Sequence, residues 1–190
     1  MLASWRRQFP NCEPVAHEMR RAFPARWVRF HSLPESQRYP DNEAEYATLL
    51  GRHNLVLGSL THAGETLALL TTGYSETDDP VRNDDVLQKV DPRAVPWRTV
   101  AMHERDADFG ELNFWHVFAS RHPWFPGGFD PIVQHVAAGV LANVMIVPLD
   151  CRWLLHPYDG GMDVILASSA ARDVLAASFP EWLSARADGL

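Results

Sequence analysis

The stretch Arg152-Trp-Leu-Leu-His-Pro-Tyr-Asp-Gly-Gly-Met-Asp-Val-Ile-Leu166 decides the fold. It reads as two short strands joined by a tight Asp159-Gly160 turn, and Asp-Gly between apolar runs is among the strongest short-range hairpin signals. With those two residues central, Tyr158 pairs with Gly161, Leu155 with Val164, and His156 with Asp163. An aspartate between Met162 and Val164 is out of place in a buried strand, because Asp is disfavoured there. A carboxylate opposite an imidazole gives it two readings. In one, Asp163 orients His156 as a general base, with the Tyr158 hydroxyl as a second polar group. In the other, the three residues form a cross-strand polar pair that pins the hairpin register, with Arg152 within reach. No serine or cysteine nucleophile is placed beside them, since Cys151 lies at the far end of the same strand.

Upstream of the hairpin, Val144–Leu149 reads as another strand. Before it, Asp130-Pro131 opens a helix with a capping acid and a proline in the first turn. Its apolar stripe, Ile132, Val133, Val136, Val140 and Leu141, carries it to about Asn143. The clearest helix runs from Glu43 to Leu60. Asn42 and Glu45 have capping-box spacing, and Tyr46, Leu49, Leu50, His53, Val56, Leu57 and Leu60 form one stripe. Further helices are expected over Glu13–Phe23, stopped by Pro24, and from Ser168 or Ser169 to Phe179, and residues 1–11 read as a loose arm or a short helical lead-in. Strands are expected over Trp27–His31, Glu65–Thr72, Trp97–Arg105 and Glu111–Ala119. The strands come in hairpin-linked runs instead of strict β-α-β alternation. The expected fold is therefore α+β, a single domain over residues 1–190 with a mostly antiparallel sheet flanked by about four helices.

Residues 73–96 differ in character. Glu76, Asp78, Asp79, Asp84, Asp85 and Asp91 face only Arg82, Lys89 and Arg93, with few large apolar residues. The segment reads as an acidic loop insertion with one short helix near Val86–Val90. Its acids lack the alternating pattern of a calcium loop. Arg121–Phe129 reads as an aromatic loop stiffened by proline, either a protein-binding patch or a lid folded onto the sheet.

Composition narrows the classes. The net charge of -7 argues against a nucleic-acid surface and suits a protein whose partner is basic. The longest apolar run is far short of a membrane span, and the N-terminus has no apolar signal region, so a cytoplasmic location is expected. Cys12 and Cys151 make neither a disulfide framework nor a zinc site. His103, Glu104, Glu111, His116 and His122 gather around one expected hairpin, but His116 alternates with Leu112, Phe114 and Phe118 and reads as a hydrogen-bonded core residue. No metal and no cofactor are expected. Glycine-rich phosphate loops, His-Glu-x-x-His and nucleophile-elbow motifs are absent.

The run His156-Pro-Tyr-Asp-Gly-Gly-Met-Asp-Val-Ile165, followed by a short helix and Glu181-Trp-Leu, resembles an uncharacterised bacterial family known as a domain of unknown function. In that family a tyrosine-aspartate turn precedes a Gly/Met-Asp-Val strand, whose aspartate maps to Asp163. The resemblance covers about the last forty residues and implies a bacterial domain without a transferable catalytic residue.

The functional expectation is a small acidic protein-binding module, such as an immunity-type or other neutralising partner of a basic protein. Asp84, Asp85, Trp124, Phe125 and Phe129 would supply its binding face. The alternative is a small hydrolytic enzyme using His156 and Asp163.

Overall fold

The computed structural model describes residues 1–82, 84–105, 112–186 and 189. Strands β1 (Trp27–His31), β2 (Thr66–Ser75), β3 (Val95–Ala101), β4 (Phe114–Pro123), β5 (Met145–Pro148), β6 (Leu154–Tyr158) and β7 (Gly161–Ile165) form one seven-stranded sheet in the order β1-β7-β6-β5-β2-β4-β3. Every pairing is antiparallel. Helices α1 (Leu2–Gln8), α2 (Ala16–Ala22), α3 (Glu43–Leu60), α4 (Asp85–Val90), α5 (Asp130–Ala137) and α6 (Ser169–Ser178) flank it, which makes the domain α+β.

The β6–β7 register is the one the turn dictates: Tyr158 opposite Gly161, His156 opposite Asp163, Leu155 opposite Val164. Both faces of the sheet are covered, which is why these strands are apolar almost throughout. On one face Val28, Phe30, Leu67, Leu69, Ile146, Leu155, Met162 and Val164 pack against Leu49, Val56 and Leu57 of α3, Ile132, Val133 and Val136 of α5, and Leu175 of α6. On the other, Ala68, Leu70, Val117, Met145, Val147, Leu154 and Ile165 meet Trp5 of α1 and Ala16 and Met19 of α2.

α3 begins where its cap requires: the Asn42 side chain accepts from the Glu45 amide, and the Glu45 carboxylate accepts from the Asp41 amide and the Asn42 side-chain amide. Its stripe buries Leu49, His53, Val56 and Leu57.

Several expectations need correction. Among the described residues the four main helices are joined by the short helix expected near Val86–Val90, here Asp85–Val90, and by a short one at Leu2–Gln8. α5 stops at Ala137, well short of Asn143. Gly139 adopts a left-handed φ of 69°, and the amides of Gly139 and Val140 bond back to Val136 and His135, closing a Schellman motif before the apolar pattern runs out. β4 continues to Pro123, since Ser120, Arg121 and His122 still pair with Leu69, Ala68 and Leu67. β3 is shorter than expected, ending at Ala101 in a 3-10 turn over Met102–Glu104. Glu111 and the 106–110 connection lie outside the described residues. The stretch expected as an acidic loop insertion, residues 73–96, begins inside β2, contains α4 and ends inside β3.

Candidate functional site

Two polar clusters are built into the sheet. The first lies at the β6–β7 turn. Successive strand residues alternate between faces, so Arg29, Asp163 and His156 lie in one row across β1, β7 and β6 on the α1/α2 face, with His31 and Tyr158 beside them. Sequence reasoning placed His156 and Asp163 opposite each other, and the structure does the same. The bonding differs from the expected pair. Both carboxylate oxygens of Asp163 accept from Arg29, from Nε at 2.7 Å and Nη2 at 2.9 Å, in a fork-to-fork geometry. Both side chains are largely buried, at 13% and 9% exposure. The Arg29 guanidinium also lies 4.5 Å from the centroid of the Tyr158 ring.

His156 turns its Nδ1 to the Val144 carbonyl at 2.8 Å. A carbonyl only accepts, so Nδ1 carries the proton. Burial drives the His156 pKa below its ordinary value, against the Val144 bond and the Asp163 charge, which favour the cation. The ring is a neutral, hydrogen-bonded core residue whose Nδ1–H is held by a backbone carbonyl. Burial also pushes the Tyr158 phenol up to about 12. Arg152, within reach of this group by sequence, instead pairs with Glu65 and Asp150.

The hairpin turn and the loop after β1 enclose a cleft of about 320 Å3 lined by Arg29, His31, Ser36, Arg38, Tyr158, Asp159 and Gly160. Gly161 is required beside it, because a Cβ there would lie 2.1 Å from the Phe30 carbonyl oxygen and 2.9 Å from the Tyr158 hydroxyl.

The second cluster lies on the opposite face, along β4. His116, Phe118, Ser120 and His122 alternate onto one side of the strand and meet the acidic segment. Ser75 donates its hydroxyl to the Thr77 carbonyl, so the 2.7 Å contact between Ser75 Oγ and His116 Nε2 is donated by the imidazole. Nδ1 of His116 then accepts from Thr99 Oγ1 at 3.0 Å. Arg82 stacks over Phe118 and donates to the Asp91 carbonyl oxygen. Asp91 is wholly buried and accepts from Ser120 Oγ at 2.9 Å.

Asp91, Ser120 and His122 have the composition of a hydrolytic triad but the wrong polarity. The Ser120 proton goes to Asp91, so His122 Nε2, 2.7 Å from Ser120 Oγ, donates to the hydroxyl instead of accepting from it. The carboxylate lies 3.5 Å from that same nitrogen, not on Nδ1 where an orienting acid must sit. His116 and His122 stand out in the sequence, but their joining to Ser75, Asp91 and Ser120 does not, because the members are spread over residues 75–122 and only the strand register assembles them. His53, on the α3 stripe, is likewise a core residue: its Nδ1 donates to the Leu49 carbonyl and burial lowers its pKa to about 4.

The expected binding residues separate. Asp84 caps α4 through the amides of Val86 and Leu87, and Asp85 is exposed on its first turn. Trp124 and Phe129 do not form an exposed patch: they stack on each other at 6.4 Å in the core, leaving 4% and 3% exposed, and only Phe125 presents area to solvent. The Trp124 amide and carbonyl bond to Glu65 and Gly64, which draws the loop inward. Cys12 and Cys151 are free thiols, both pushed up to about 11 chiefly by burial, which favours the protonated form. Among the described residues no group of three or more His, Cys, Asp or Glu could hold a metal ion, and no helix is long and apolar enough to cross a membrane.

A protein-family model described as a domain of unknown function, DUF3885, matches residues 15–187. The chain belongs to this family. The match takes in β1 through the 3-10 turn at Pro180–Trp182, and so both polar clusters. No curated protein and no solved structure matches the chain.

Proposed function

We propose that this DUF3885 domain is a bacterial, cytoplasmic recognition module that binds a basic protein, as an immunity-type or other neutralising partner does, through the acidic face on residues 75–91. One observation carries the reading: exposed acids stand on a fixed frame. Glu76, Asp78, Asp79 and Asp85 are exposed. The segment that bears them is fastened at one end by Ser75 on His116 and at the other by buried Asp91 on Ser120. Preorganised like charges steer an oppositely charged partner and lose little entropy on binding. Phe125, at 55% exposure, offers an apolar contact beyond the end of β4. The bonding of the hairpin cluster also favours binding over hydrolysis, since Asp163 is committed to Arg29 and the Nδ1 of His156 to Val144.

The test is a pull-down from the source organism's lysate, followed by association kinetics with the captured protein. Asp84 and Asp91 are left intact because they hold the frame, and Asp78→Lys, Asp79→Lys and Asp85→Lys are combined. The expected outcome is one basic protein retained in stoichiometric amount by the native chain, with the triple variant slowing association by about tenfold or more at low salt. Capture of nothing basic, or an unchanged association rate, would overturn the reading.

A further inference from the structure

The cleft at the hairpin turn is separate from the acidic face, and its lining sets Arg29, Arg38 and His31 beside Asp159. Arg29 and His31 stand two residues apart on β1 and so share a face of the sheet. Asp163 takes Nε and Nη2 of Arg29, which leaves Nη1 without an acceptor among the described residues. Arg38 spends only Nε, on Asp159. The Tyr158 and Ser36 hydroxyls have no hydrogen-bond partner among the described residues. His31 lines the same cleft, and its Nε2 is buried with no hydrogen-bond partner among the described residues. A desolvated ring nitrogen left unpaired is unfavourable, so a ligand group that reached it would be favoured.

We propose that this cleft binds a small molecule through an oxyanion group, a phosphate or a carboxylate, held by Arg29, Arg38, His31 and Tyr158. A guanidinium that is already immobilised makes a good receptor, because its planar fork matches an oxyanion and little side-chain freedom is left to lose. Arg29 is immobilised on two sides, by the Asp163 fork and by the Tyr158 ring. In this arrangement Asp163 is a positioning residue that aims Arg29. The neighbouring backbone fits that role. Gly160 and Gly161 let the tyrosine lie close to the turn, and Glu35 and Ser36 take consecutive left-handed φ values of 55° and 59° in the loop that forms the far wall. Two such non-glycine residues in a row are costly and cluster at ligand-binding loops. Burial, with Arg29 and Arg52, pushes the His31 pKa down, so an anion seated beside the ring is expected to raise it again.

The experiment is a titration of the native chain with inorganic phosphate and, separately, acetate, followed by NMR, with chloride at matched ionic strength as the control. Saturable shifts of the Ser36 and Gly160 amides are expected with at least one oxyanion, at about millimolar Kd for so small a fragment. An upward move of the His31 titration should accompany them. The better anion identifies the headgroup. Arg38→Gln and Tyr158→Phe remove one donor each without unpairing Asp163, and each should weaken binding by roughly fivefold to tenfold. Arg172→Gln, on α6 and outside the cleft lining, should leave it unchanged. Shifts that do not saturate, that chloride reproduces, or that survive both cleft variants at unchanged Kd would overturn the proposal.

Discussion

Among the described residues two arginine-aspartate pairs are buried, and they are built differently. Arg29 and Asp163 meet through two parallel hydrogen bonds of 2.7 and 2.9 Å. Arg82 and Asp91 approach no closer than 3.6 Å through their charged atoms, and Arg82 Nε and Nη2 and Asp91 Oδ1 have no hydrogen bond. The first pair sits on adjacent strands whose backbone register sets both Cα positions. The second joins two points of an irregular segment, where no ladder aligns the side chains, and it draws on Ser120 and His122 for the remainder. Strand pairing places a fork-to-fork bond without further help. A segment laid over a sheet needs many lesser ties to reach the same fixity.

That contrast can be broken in a definite order. Asp163→Asn should have the largest effect, since it leaves the Arg29 charge buried without its counter-charge; denaturant unfolding is expected to show a loss of about 3–5 kcal/mol. Asp91→Asn keeps an acceptor for Ser120 and removes only a loosely met charge. A smaller loss is expected there, about 1–3 kcal/mol. A cost equal to that of Asp163→Asn would mean that geometry is not what separates the two pairs. Asp85→Lys changes an exposed side chain and should alter stability by about 0.5 kcal/mol or less, whatever it does to partner binding.

The same contrast explains what could be read in the sequence. The Asp159-Gly160 turn, the β6–β7 register, the Asn42–Glu45 cap and the Ser168 cap are local signals, each complete within a few residues, and each appears in the structure. Asp163 was recognisable as an anomaly in its strand, but its partner Arg29 lies 134 positions away and nothing in the chain marks it. His156, the neighbour across the hairpin, was therefore the natural but wrong choice for the hydrogen bond. Trp124 and Phe129 look exposed in a proline-rich loop because burial depends on where the loop lands. Gly139 was the one overlooked local signal: a glycine inside an apolar pattern read as helix ended α5 by adopting a left-handed conformation.

The pairing of β1 with β7 also bears on how the chain acquires its structure in time. Trp27–His31 has no strand partner until Gly161–Ile165 is present, so the first strand made is among the last to be placed. Closing so long a loop is entropically unfavourable and is repaid only after closure, which puts this contact late on the folding route. Arg29 and Asp163 then act on how slowly the finished domain opens more than on how fast it forms.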